Sequence, residues 1–246
     1  MEGKQILAVE VLGKRYGRHW ALRDVGFNVE RGDILGILGE NGAGKSTLLS
    51  ILATLTPKTE GTLLYEGEKV EKRKKEYRAC IGYVPQEIAL FEELSGKDNL
   101  EFFAKIYGVP KEQRSDRIEA VCAVTAFQTE WLTKPISEYS GGMKRKINIG
   151  AALLHEPSLL LLDEPTANLD FRSEEQITET IKCLAADGVT VVCSGHQMEQ
   201  MEQMCNKFCL LDHGRQLLFD TMEHGLRKEH GERVSLKQRC RELLES

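Results

Sequence analysis

Residues 39–47 read "GENGAGKST", directly after the apolar run "DILGIL" at 33–38, and no other feature restricts the fold as much. A continuous apolar run marks a strand buried on both faces, as in a parallel sheet covered by helices. "KSTLLSILATL" then predicts a helix. Between the two, Gly39, Gly42 and Gly44 let backbone N–H groups turn inward, and the helix aims its positive end at the same point. The spacing is G-x-x-x-x-G-K-[ST], which cradles phosphate. Lys45 can reach β- and γ-phosphates, and the Ser46 hydroxyl can ligate Mg²⁺.

A phosphate loop of this kind needs an acidic partner, and "SLLLLDEPT" at 158–166 provides one. It reads as a buried strand ending on Asp163 and Glu164. An aspartate so placed holds the metal in phosphate-loop proteins. The carboxylate beside it can orient and deprotonate a water.

Strand and helix patterns alternate at both ends of the chain. The first 30 residues alternate apolar and polar as antiparallel strands do, and 97–126 and 141–155 keep helical spacing. After the strand at 159–162 come a helix at 172–186, the strand "VTVVCS", a helix at 197–205 and a hairpin around Gly214. This predicts an α/β protein: a P-loop NTPase core with a parallel sheet, an N-terminal antiparallel β subdomain and an inserted α-helical subdomain at about 87–155. One nucleotide-binding domain is expected over 1–225, followed by a charged, helical tail over 226–246. The run "EKVEKRKKEYR" at 68–78 reads as a solvated loop or helix face.

The bulk numbers exclude several classes. Net charge is −5 with a pI near 5.8, so no general basic field points to nucleic acid. "ILAVEVL" is interrupted by Glu10 and no small-residue cleavage site follows, so no leader is expected. No apolar run approaches the roughly 20 residues of a membrane span. Seven scattered cysteines without zinc spacing read as reduced thiols used as small hydrophobes.

One stretch is locally odd. "EYSGGMKRK" at 138–146 opens a helix with two glycines, each of which weakens a helix by about 1 kcal/mol relative to alanine.

Taken in order, these elements resemble the ATP-binding cassette (ABC) ATPases, the nucleotide-binding subunits of ABC transporters, over roughly residues 5–220. The resemblance implies the following roles. Tyr16 stacks on adenine. Gly39, Asn41, Gly42, Gly44, Lys45, Ser46 and Thr47 form the Walker A motif. Gln86 in "YVPQE" is the Q-loop glutamine, near Mg²⁺ and water. "LLLLDEP" is Walker B, with Asp163 on the metal and Glu164 as catalytic base. "NLD" at 168–170 is the D-loop, and His196 is the switch histidine. "YSGGMKRK" is the signature: Ser140, Gly141 and Gly142 of one subunit lie over the ATP of a second, head-to-tail subunit. The implied cofactors are ATP and Mg²⁺, and the implied partners are a second nucleotide-binding subunit and transmembrane permease subunits. Location at the cytoplasmic face of the membrane through protein contacts follows. An exporter-like branch is suggested by "SGGM". The stretch after Gln86 is the expected docking region, with Leu90 and Phe91 either exposed there or buried in the core. A soluble ABC ATPase acting on ribosomes or DNA is the alternative. The sequence departs from the family pattern at Tyr139, Met143 and Phe171. Met143 cannot donate the hydrogen bonds of the usual glutamine.

Overall fold

A ten-stranded sheet runs through the computed structural model, which describes residues 4–227 and 232–245. The chain opens with β1 (Gln5–Tyr16) and β2 (His19–Glu30), paired antiparallel. β3 (Ile34–Leu38) leads through the glycine loop into α1 (Lys45–Leu52). β4 (Glu60–Tyr65) returns antiparallel to β1, followed by β5 (Glu68–Lys69), α2 (Lys74–Cys80) and β6 (Ile81–Val84). Three helices come next: α3 (Gly96–Ile106), α4 (Arg114–Val124) and α5 (Gly141–Leu153). The remainder is β7 (Leu159–Leu162), α6 (Phe171–Ala186), β8 (Thr190–Gly195), α7 (Met198–Met204), β9 (Lys207–Asp212), β10 (Arg215–Thr221) and α8 (Leu236–Leu244).

Strand order is β5-β4-β1-β2-β10-β9-β3-β8-β7-β6. β3 lies between β8 and β9, and β7 between β6 and β8, all parallel, while the β1-β2-β4-β5 end is antiparallel. The two halves meet where β10 touches β2 at Arg215 and Arg23. β3 and β7 are buried at every position, and their side chains sort by alternation onto two faces. Leu35, Ile37, Leu159 and Leu161 join α1 and the antiparallel strands in one core. Ile34, Leu38, Leu160 and Leu162 join the helices α3 to α6 in the other. The apolar runs in "DILGIL" and "LLLL" are therefore what a double-sided sheet requires.

Helix starts follow their caps. Ser95, Ser140, Asp170 and Ser235 each accept the backbone N–H three residues on, opening α3, α5, α6 and α8. Of the tail region, 228–231 and 246 lie outside the described residues. Leu226, Leu236 and Cys240 are buried, and Leu236 N donates to Glu202 Oε2 of α7 at 2.7 Å. Cys122, Cys193, Cys205, Cys209 and Cys240 are buried free thiols. Burial pushes the Cys122 and Cys240 thiols up to about 11. Among the described residues no group of three or more His, Cys, Asp or Glu could hold a metal.

The charged run at 68–78 is more than a solvated face. It folds into β5, a 3₁₀ turn and α2, and both its apolar residues, Val70 and Tyr77, are buried. Tyr77 packs edge-on to Tyr65 with centroids 5.1 Å apart, and its hydroxyl donates to Leu52 O at 2.7 Å. One aromatic anchors the helix while its lysines stay in water. Tyr77→Phe is expected to lower the unfolding free energy by about 1–2 kcal/mol in urea titrations, because a buried carbonyl loses its partner. Tyr77→Ala should cost about 3–5 kcal/mol. An unchanged midpoint in Tyr77→Ala would return the segment to the surface.

Candidate functional site

The loop between β3 and α1 has the backbone that only its glycines permit: φ is +147° at Gly39, +86° at Gly42 and +105° at Gly44. A Cβ on Gly44 would stand 2.7 Å from Ala21 O and from the Leu22 side chain, so β2 crosses directly behind the loop. A Cβ on Gly42 would meet nothing within 4 Å, which leaves the loop's open side free. Lys45 is buried, and its ammonium donates to Gly39 O at 2.9 Å and Glu40 O at 3.1 Å. Asn41 and Ser46 are exposed and Thr47 is half-buried. Tyr16, at the end of β1, is 51% exposed, with the Lys14 ammonium 4.7 Å from its ring centroid. An aromatic face of that kind can stack on a base without reading its edges.

β7 delivers Asp163 and Glu164 to this loop. Asp163 Oδ1 accepts from Ser46 Oγ at 3.2 Å and from Ser194 Oγ at 2.6 Å. Glu164 is the point of convergence for the rest. Its Oε1 lies 3.9 Å from the Lys45 ammonium; its Oε2 accepts from Gln86 Nε2 at 3.1 Å and lies 3.7 Å from His196 Nδ1. Glu164 also sits at φ +46°, a left-handed backbone that costs a non-glycine residue about 1–2 kcal/mol. The Ser194 hydroxyl receives its N–H at 2.9 Å and so holds that conformation. Four residues from three other segments, Lys45, Gln86, Ser194 and His196, thus surround Glu164. A carboxylate flanked by a cation, a carboxamide and an imidazole can hold a water and remove its proton. Ser46 Oγ and Asp163 Oδ1, two oxygens side by side, suit a hard divalent cation.

The signature residues lie apart from this cluster. Ser140 caps α5 through Met143 N at 3.3 Å, and among the described residues no hydrogen bond or ion pair joins 140–142 to the glycine loop. The two glycines have different surroundings. Gly141 is exposed, its nearest neighbour being Leu169 at 3.7 Å from a built Cβ. Gly142 is buried, and a Cβ there would clash with Ser173 Oγ of α6. Packing within the chain is thus a second reason for glycine at 142, whereas a Cβ at Gly141 would meet only an ordinary contact. Asp170, the α6 cap, accepts from Ser173 N and Ser173 Oγ, which holds its carboxyl below the usual carboxylate range. Phe171 beside it is 74% exposed.

Two site residues carried no sequence signal of their own kind. Ser194 is a buried hydroxyl in a strand, "TVVCSG", that also opens on buried Thr190, so the pattern does not single it out. Arg145 hides in the cationic run after the glycines, although it lies three residues from buried Gly142 and four from buried Ile149. It is 4% exposed and donates to Pro85 O at 3.0 Å and Gln86 O at 2.7 Å. Burial lowers the guanidinium pKa, and the Asp163 carboxylate opposes that shift.

Comparison with known proteins places this arrangement. The family model described as "ABC transporter" matches residues 22–167, more than half of the chain. The Linearmycin resistance ATP-binding protein of Bacillus subtilis (strain 168) is 38% identical over 88% of this chain and 69% of its own length. A Nod factor export ATP-binding protein of Sinorhizobium fredii (strain NBRC 101917 / NGR234) is 33% identical over 87% of this chain and 63% of its own, so over a third of that relative lies outside the match. A solved ATP binding subunit of an ABC transporter superposes with TM-score 0.86 at 29% identity, over 97% of this chain and 99% of that one. A dimeric ATP-binding cassette in a post-hydrolysis state, bound to ADP and Pi, does so with TM-score 0.79 at 25% identity, over 88% of this chain and 99% of that one. The chain therefore belongs to the ABC transporter family and is one of its ATP-binding, ATP-hydrolysing cassettes.

Proposed function

We propose that this chain pairs with a second cassette around ATP and drives export through transmembrane partner subunits. The convergence of Lys45, Gln86 and His196 on Glu164, beside the Ser46–Asp163 pair, carries the reading. In this reading the N–H groups of 39–47 wrap the phosphates and Tyr16 stacks on adenine. Lys45 transfers its hydrogen bonds from Gly39 O and Glu40 O to phosphate oxygens. Mg²⁺, when bound, neutralises charge on the β- and γ-phosphates, with Ser46, Asp163 and Gln86 as the residues that would hold it. Glu164 takes a proton from the attacking water while Gln86 and His196 orient it. Ser140 and Gly141 present a hydroxyl and bare backbone, at the positive end of α5, to the phosphate held by a second subunit.

Relatives named for linearmycin resistance and for Nod factor export support the exporting direction. No helix among the described residues is long and apolar enough to cross a membrane, so contact with the cytoplasmic face falls to protein partners. The stretch after Gln86 suits that task. Phe91 is 47% exposed and stacks edge-on with exposed Phe102 at 4.9 Å, with exposed Leu94 nearby in the chain. Buried Asn99 braces this loop, accepting from Phe91 N and donating to Phe91 O and Ser95 O. Leu90 is half-buried against the core, so of the two expected docking residues only Phe91 is offered outward.

Glu164→Gln should retain ATP binding and lose about 10²–10⁴ in turnover, the usual share of a general base; unchanged phosphate release would remove Glu164 from that role. Lys45→Ala should weaken nucleotide binding itself, measured by titration. In light scattering, Glu164→Gln with Mg²⁺ and ATP is expected to shift from monomer to dimer. A monomer at saturating ATP would exclude self-pairing and leave a different cassette as partner. Phe91→Glu should release the protein from native membranes with its own basal ATPase rate unaltered, whereas Leu90→Glu should lower its melting temperature. Retention of Phe91→Glu on membranes would move the docking surface elsewhere.

A further inference from the structure

Arg145 touches neither the glycine loop nor the strand-end carboxylates by hydrogen bond, yet its two donors end on the backbone that carries Gln86. A guanidinium is a planar fork, and two consecutive carbonyls, Pro85 O and Gln86 O, occupy its prongs. The Gln86 side chain then reaches Glu164 Oε2. One continuous path therefore runs from Ser140 at the start of α5, through Arg145, to the carboxylate. The same helix and the turn that follows it come close to β6 at two further points. A Cβ on Gly82 would stand 2.5 Å from Ala152 O, and His155 Nε2 meets Ile81 O at 2.9 Å. Residues 82, 85 and 86 thus lie against α5, and 81 against the turn after it. Arg145 Nε, though buried, has no partner among the described residues.

We infer that Arg145 is a positioning residue for ATP hydrolysis, holding Pro85 O and Gln86 O so that the Gln86 carboxamide meets Glu164 only when α5 is correctly seated. The inference rests on the reading of Glu164 as the base. It makes the helix that opens at Ser140 the reporter of a second cassette, and Gln86 the receiver of that report in the same chain.

The test is a double-mutant cycle on the full chain, with steady-state phosphate release and nucleotide titration. Arg145→Lys keeps the charge and loses the fork. Its kcat should fall about 10- to 100-fold, the loss expected from a displaced group near the reacting atoms. KM and ATP affinity should stay within about threefold of the parent, the signature of an effect confined to the transition state. Combined with Gln86→Ala, the second change should add almost nothing, because both act through one contact. Amide exchange at 86–92 should quicken in Arg145→Lys without nucleotide, and an unchanged rate there would count against the clamp. A parental kcat in Arg145→Lys, or losses that multiply in the double variant, overturns the inference. Should Arg145→Lys not fold, Arg145→Gln takes its place in the cycle; failure of both to fold assigns Arg145 a structural role and also overturns it. A parent chain that releases no phosphate rejects the reading of Glu164 itself, and the inference falls with it. That outcome is distinct from an active parent with an indifferent Arg145→Lys.

Discussion

Asp163 stands at the end of β7 with Ser46 of α1 and Ser194 of β8 on the same carboxylate oxygen, and the rest of the site is arranged around that junction. It ties three separated segments at the mouth of the sheet. Ser194 uses its second valence on the backbone N–H of Glu164 and so keeps the neighbouring carboxylate in its left-handed turn. Without that bond the strand end has no reason to hold Glu164 toward Lys45. A parallel sheet with its loops at one end makes such a junction possible, because β3, β7 and β8 finish together.

Two kinds of rigidity meet there. β3 and β7 are buried on both faces and present fixed strand ends, with β6 paired to β7. The signature residues open α5, which reaches the Gln86 backbone through Arg145. The Gln86–Glu164 hydrogen bond at 3.1 Å is the place where the helical part touches the sheet-borne carboxylates. A machine that converts hydrolysis into movement needs such a contact, one that is made or broken as a body moves rather than as a single side chain turns.

Much of this was legible in the chain because the relevant patterns are strong. "DILGIL" and "LLLL" are apolar at each position that the sheet buries on two sides, and glycines with positive φ mark the loop between β3 and α1. The hairpin at Gly214 and the helices α5, α6 and α7 followed from turn residues and period. Short strands escaped. β6 has four residues, one of them Gly82, and β4 mixes polar and apolar residues at a half-covered edge. Tyr77 was masked by the charges around it, although a single buried aromatic suffices to seat a helix as short as α2. At the site, acidic strand ends and the glycine loop announce themselves, but Arg145 acts through two backbone carbonyls and Ser194 holds the Glu164 N–H as well as the Asp163 carboxylate. Backbone partners leave no pattern in a sequence. Gly142 carries a second constraint that the motif did not reveal, its tight packing on Ser173.

The account's central claim is that the carboxylates of β7 act on a phosphate held by residues 39–47. The most direct measurement is a crystal structure of Glu164→Gln with ATP and Mg²⁺. It should place the γ-phosphate on the Lys45 ammonium, drawn away from Gly39 O and Glu40 O, with the metal against Ser46 Oγ and the Asp163 side. Nucleotide bound away from 39–47, or a Lys45 still donating to both loop carbonyls beside a bound triphosphate, would contradict it.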